Sequence, residues 1–128
     1  MNETRSESPH KGRSGLDRLW RALGYSIEGL TAALQYEDAF RQALILAVIL
    51  VPVAWFSHVS NASKALLIAC VVLVLIVELI NSAIEAVVDR VSLEDHQLSK
   101  RAKDMGSAAT FLTILNVIVV WSIVLFCT

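Results

Sequence analysis

The sequence predicts an all-α integral membrane protein, with three transmembrane helices preceded by an interfacial amphipathic helix. Three observations predict it. Hydrophobic residues make up 55% of the 128 positions and charged residues 18%, against about 25% charge in a soluble domain. Three apolar stretches each approach the roughly 20 residues needed to cross a bilayer core. The basic residues also cluster in two places only, as they do in chains that choose one orientation in a membrane. At this length the chain is one domain at most. A net charge of −1 points to no particular partner, and no nucleic-acid partner is expected.

Residues 1–14 are polar and lack the apolar core of a secretion signal, so they read as a disordered tail ahead of a single membrane domain over 15–128. Between about 16 and 35, Leu16, Leu19, Trp20, Leu23, Ile27, Leu30 and Leu34 recur at helical spacing, with Asp17, Arg18, Arg21 and Glu28 elsewhere. One greasy face and one charged face predict a helix lying in the membrane interface. The first span is expected over about 39–56, with Arg41 near its start and Pro52 inside, where a kink is expected. The second is expected over about 64–88 and contains thirteen uninterrupted apolar residues, Ala65 to Val77. The third is expected over about 107–127, interrupted only by hydroxyls and Asn116, which reads as a hydrogen bonder between helices. Cys70 and Cys127 sit in different apolar runs and predict no disulfide. Trp20, Trp55 and Trp121 read as interfacial anchors.

Six of the eleven basic residues precede or open span one, and Arg90, Lys100, Arg101 and Lys103 lie between spans two and three. Lys64 alone lies between spans one and two. The positive-inside rule places the N-terminus and the loop from Asp89 to Gly106 in the cytoplasm, with Asp89 and Arg90 an interfacial pair at the exit of span two.

Span two also carries charge where charge is expensive. Glu78, Asn81, Glu85 and Asp89 are spaced +3, +4 and +4, which puts the three carboxylates on one helical stripe with Asn81 flanking it. A carboxylate within a span costs about 3 kcal/mol even on lenient scales, and packing gives no reason for three of them. Glu37, just before span one, lies at the same depth as Glu85. Two carboxylates from different helices suit a hard divalent ion such as Mg²⁺ shared with phosphates. Glu78, deeper in low dielectric, suits proton exchange near neutrality. The loop adds Glu94, His96, Lys100, Arg101, Lys103 and Asp104, whose cations suit a polyphosphate. Blander readings stand beside these: Glu37 and Asp38 as surface residues opening a helix, His96 as a solvated loop residue, the loop cations as topology determinants. Neither a phosphate-binding GxxxxGK[ST] loop nor a protein-kinase signature is present. On the residues alone, phosphoryl transfer and a proton- or cation-coupled carrier built on Glu78 are equal contenders, and a purely structural subunit leaves Glu78 unexplained.

The run Val77-Glu-Leu-Ile-Asn-Ser-Ala-Ile-Glu-Ala-Val-Val-Asp-Arg90, with Arg101-Ala-Lys-Asp-Met-Gly-Ser-Ala-Ala109, resembles the prokaryotic integral-membrane diacylglycerol kinase family. The likeness extends from Arg18 to Trp121 and includes Ala22, Gly24-Tyr-Ser26, Glu37 and Ala39-Phe-Arg-Gln42. The resemblance implies a homotrimer with active sites shared between subunits in the bacterial inner membrane. It implies transfer of the γ-phosphate of ATP, with Mg²⁺, to diacylglycerol. By motif it implies Glu78 as proton acceptor and Glu37 and Glu85 as metal ligands. Those two, with Arg18, Tyr25, Glu94, His96, Lys103 and Asp104, match the nucleotide site. Ala22, Gly24, Ser26, Ala39, Phe40, Arg41, Gln42, Ser107 and Trp121 match the lipid surroundings of Glu78, and Lys64 replaces an arginine at the opposite membrane face. Asn81 and Asp89 are expected to support the site. Asp95, Ile27 and Leu34 depart from the family pattern without touching this set. An undecaprenol kinase shares the fold and motif and is the alternative within the same chemistry.

Overall fold

The computed structural model describes residues 15–91 and 96–127; the expected polar tail and the candidate Glu94 lie outside the described residues. The described chain is four helices and no strand: α1 (Gly15–Tyr36), α2 (Asp38–Trp55), α3 (Asn61–Val91) and α4 (Gln97–Phe126). The last three are long and apolar enough to cross a membrane, and helices satisfy every backbone polar group within one segment, as lipid requires. The chain is a multi-pass membrane protein.

α3 is the central helix, with α2 and α4 packed against it and α1 touching α2 and α3. Both pairings are antiparallel. Along α3 and α4, Leu67 meets Trp121, Asn81 meets Gly106 and Asp89 meets Lys103. Along α2 and α3, Ala47 packs with Cys70 and Val71, and Ala54 with Leu67. Small residues supply many of these contacts, because lipid competes with any apolar side chain and helix association in a membrane rests on close packing. Most large apolar residues face outward, including Leu66, Ile76 and Ile80 of α3.

Both ends of α3, at Asn61 and Val91, and the start of α4 differ from the sequence expectation. α3 starts at Asn61 rather than 64 because Ser60 caps it: Ser60 Oγ accepts from the Ser63 N–H at 3.2 Å. The stretch 97–106, expected to be loop, is the first part of α4. Its residues, Gln97-Leu-Ser-Lys-Arg-Ala-Lys-Asp-Met105, are mostly good helix formers. His96 Nδ1 accepts from the Leu98 N–H at 3.1 Å and starts the helix. Charge ends the part of a helix that fits in lipid, but it does not end the helix. At 31 and 30 residues, α3 and α4 are each about 45 Å long, against roughly 30 Å of hydrocarbon. The excess forms a charged two-helix stalk.

Pro52 lies inside α2, where it removes the hydrogen bond that would reach the Val48 carbonyl; the ladder resumes beyond it, the Phe56 N–H donating to the Pro52 carbonyl at 3.0 Å. Cys70 and Cys127 are both free thiols, as expected. The α1–α2 joint is held by Arg41. Its guanidinium donates to the Leu34 and Gln35 carbonyls at 2.8 and 3.0 Å and pairs with the Asp38 carboxylate. α1 has no basic residue in its last turn, and Arg41 supplies from the next helix the cation that terminal carbonyls favour. Arg41→Ala is therefore expected to speed hydrogen exchange at the Gln35 to Glu37 amides by about two- to fivefold, matching the ~0.3–1 kcal/mol of such a cation. Unchanged exchange would show that the joint holds without it.

Candidate active site

α3 carries the acidic stripe into the bundle. Glu78 is 6% exposed and lines a cavity of 240 Å³ among α2, α3 and α4. Ala39, Ala43, Val74 and Ile114 make its wall apolar, and Gln42 is the other polar side chain in it. The nearby charges acting on Glu78 are the carboxylates of Glu85 and Glu37, so three acidic groups from two chain segments converge.

Glu37 is the residue between α1 and α2. Its backbone is extended and caps α2, yet its side chain makes no capping hydrogen bond, which leaves the carboxylate for other work. It sits in a groove of 750 Å³ between α1 and α3 that also takes in Ser26, Gly29, Tyr36, Ser82 and Ala83. On a helical wheel Arg18, Ala22, Tyr25, Ser26, Gly29 and Ala33 share an arc of about 100°, opposite the Leu16–Leu34 apolar residues. The face of α1 bearing Arg18, Ala22, Tyr25 and Ser26 thus continues into the Glu37 groove, whereas Gly24 falls outside that arc. The Ser26 hydroxyl donates to the Ala22 carbonyl at 2.9 Å.

The stalk supplies cations. Lys103 Nζ lies 2.6 Å from the Asp89 carboxylate, linking α3 to α4, and Glu85 is its next acidic neighbour. Asp89 therefore pairs across helices and not with Arg90, since residues one apart on a helix do not face each other. Lys100 and Asp104 pair at 2.7 Å along α4. Phe40 is buried where α2 begins, and Ser107 lies one turn beyond Lys103.

Two expected site residues lie elsewhere. Lys64 is fourteen residues before Glu78 on α3, about 21 Å away along the helix, beside Trp55 and Asn61 in a separate groove of 890 Å³. Trp121 is turned into the bundle, its indole N–H donating to the Leu67 carbonyl at 3.2 Å, so it ties α4 to α3. Trp20 and Trp55 remain outward.

Sequence reasoning missed Gly106, Thr110 and Ser82. Gly106 and Thr110 lie on the inward face of α4, where Gly106 meets Asn81 and the Thr110 hydroxyl oxygen is buried without a hydrogen-bond partner among the described residues. Ser82 is four residues after Glu78 and shares its face. Hydroxyls and a glycine interrupting apolar runs were the available signal.

Among the described residues no three His, Cys, Asp or Glu side chains form a ready-made metal cluster. Glu37, between α1 and α2, and Glu85, on α3, offer two hard oxygen ligands from different chain segments. That donor set fits Mg²⁺, which usually takes one or two carboxylates and completes its shell with water and substrate phosphates.

A polytopic helical protein with a buried carboxylate, two flanking carboxylates and a charged stalk is a membrane protein with a polar site built into its bundle, a class that takes in both phosphoryl transfer and ion coupling. Comparison with known sequences narrows the class. The profile described as "Prokaryotic diacylglycerol kinase" matches residues 24–125. A diacylglycerol kinase of Pseudomonas aeruginosa is 56% identical over 120 residues, covering 94% of this chain and 98% of that protein. The Escherichia coli K12 diacylglycerol kinase is 48% identical over 112 residues, covering 88% and 92%. One from Helicobacter pylori 26695 is 42% identical over 115 residues, covering 90% and 89%. The chain belongs to the prokaryotic diacylglycerol kinase family.

His96 is separable into two roles. His96→Ala removes the α4 cap and is expected to lower stability by about 0.5–1 kcal/mol. His96→Asn keeps a capping acceptor and is expected to retain the unfolding temperature and most of the turnover. A stable Asn variant with weakened ATP binding would instead assign the imidazole to the nucleotide.

Proposed function

We propose that the chain transfers the γ-phosphate of ATP to the free hydroxyl of diacylglycerol, giving phosphatidic acid, at the cytoplasmic face of the bacterial inner membrane. The observation that carries this reading is the nearly complete burial of Glu78 in an apolar cavity open to a second polar group, Gln42. Membership of the family supports it.

Diacylglycerol enters sideways from the bilayer and sets its hydroxyl against Glu78. The Glu78 carboxylate accepts the hydroxyl proton as the hydroxyl oxygen bonds to the γ-phosphorus and the bond from that phosphorus to ADP breaks. General-base assistance of this kind is worth about 10²–10⁴-fold. Glu37 and Glu85 would hold Mg²⁺, which supplies charge neutralisation on the phosphates. Lys103 offsets further charge, in keeping with the dependence of phosphoryl transfer on positioning and electrostatics. Asp104 and the Arg18–Tyr25 face of α1 surround the nucleotide. Ala22, Ser26, Phe40, Arg41, Gln42 and Ser107 surround the lipid.

The basic residues ahead of α2 and in the stalk favour a cytoplasmic N-terminus. The outward apolar residues of α1, Leu19, Trp20, Leu23 and Ile27 among them, support a helix resting in the interface. The family resemblance also implies a homotrimer in which neighbouring subunits complete each site.

The test is purified protein reconstituted in lipid with Mg²⁺ and labelled ATP, offered diacylglycerol and undecaprenol in parallel. Labelled phosphatidic acid is expected from the wild type, and preferential labelling of undecaprenol would move the function to that alcohol. Glu78→Gln is expected to lose about 10²-fold or more of turnover with the fold intact, and retention of more than roughly a tenth would remove Glu78 from the base role. Glu85→Gln is expected to raise the Mg²⁺ concentration for half-maximal rate, whereas an unchanged titration would exclude it as a ligand.

A further inference from the structure

Gly106 is buried on α4, and a Cβ built at that position would overlap Asn81 Oδ1 of α3. At the other described glycines a Cβ would meet nothing within 4 Å. Gly106 is therefore the described glycine whose missing side chain is occupied by another residue. The atom in the slot is itself unusual: Asn81 Oδ1 is buried and has no hydrogen-bond partner among the described residues. An orphaned buried carbonyl oxygen forfeits the hydrogen bonds it would make in water. Close packing of α3 on α4 would be served as well by an apolar residue at 81, without that cost.

Position explains the amide. Asn81 follows Glu78 by three residues and precedes Glu85 by four, spacings that make it a neighbour of both on the helix surface. A carboxamide carries an acceptor oxygen and two N–H donors. With the oxygen lodged against α4, the N–H donors are the end left for the acceptor-only stripe of carboxylates and for any phosphate oxygen brought there.

We propose that Gly106 is a positioning residue of the active site, its absent side chain being the slot that fixes the Asn81 carboxamide between Glu78 and Glu85. This rests on the kinase reading of that stripe. Any side chain at 106 drives the Asn81 oxygen out of the slot and turns its donors, without touching a carboxylate. Misplacement by about 1 Å within a reacting constellation costs on the order of 10²-fold.

A double-mutant cycle tests it with Gly106→Ala, Asn81→Ala and the pair, read by kcat with diacylglycerol and, separately, by unfolding temperature without substrate. Gly106→Ala is expected to lower kcat by on the order of 10²-fold, with smaller changes in KM, and to lower the unfolding temperature. Asn81→Ala removes the overlapping atom, so the pair should recover the unfolding temperature while its kcat stays at that of Asn81→Ala alone. Such non-additivity is the signature of two residues acting as one. Wild-type kcat in Gly106→Ala, or multiplicative losses in the pair, would overturn the proposal. If Gly106→Ala does not fold, recovery of folding in the pair supports the slot and failure to recover it overturns the slot. A wild type that phosphorylates neither lipid would sink the kinase reading and the catalytic role of Gly106, while the unfolding data would still decide the slot.

Discussion

A carboxyl group inside a membrane is the constraint around which this molecule is arranged. At about 3 kcal/mol or more for a charged group at the centre of a span, Glu78 persists only because three helices exclude lipid from it. α2 and α4 flank α3 at that depth, and the cavity they leave brings Gln42 within the same space. The remaining acidic groups lie towards the charged end, where water and cations are at hand. Glu85 follows Glu78 by about two turns and Asp89 by about three, and Lys103 answers them from α4.

Much of this was legible in the sequence, for a physical reason. Spans are read from apolar length, and the polar stripe from a period of 3.6 residues, so the helices and the alignment of Glu78, Glu85 and Asp89 needed no tertiary information. The stalk was not legible in the same way. Lys100 to Asp104 read as loop because charge and membrane exit coincide, whereas helix propensity and the His96 cap act independently of lipid. Trp121 was ambiguous for a related reason. An indole near a span end suits an interface or a neighbouring carbonyl equally well, and only the packing of α4 on α3 gives it the Leu67 oxygen. The clasp of Arg41 on the end of α1 depends on the angle between two helices, which periodicity does not encode.

The joint between α1 and α2 links the two ends of this reasoning. Glu37 sits in a single extended residue between two helices, a position with more backbone freedom than any in α3. Its usefulness beside Glu85 depends on that freedom being removed. Arg41 does this by tying the last carbonyls of α1 to the first turn of α2, so the residue matched by motif to the lipid surroundings also holds the reference frame of the Glu37 carboxylate.

The shape of the polar site bears on what it discriminates. The cavity at Glu78 measures 240 Å³, below the roughly 300–1,000 Å³ of pockets that enclose a whole drug-sized ligand. A two-tailed lipid cannot be contained in it. On the kinase reading, only the hydroxyl-bearing end is enclosed and the tails stay against outward helix faces, where bilayer and protein are equally apolar. Selectivity between lipid alcohols must then come from the few polar groups near the hydroxyl and from how closely the headgroup approaches Gln42 and Glu78, because tails that remain in lipid contribute nearly the same free energy bound or free.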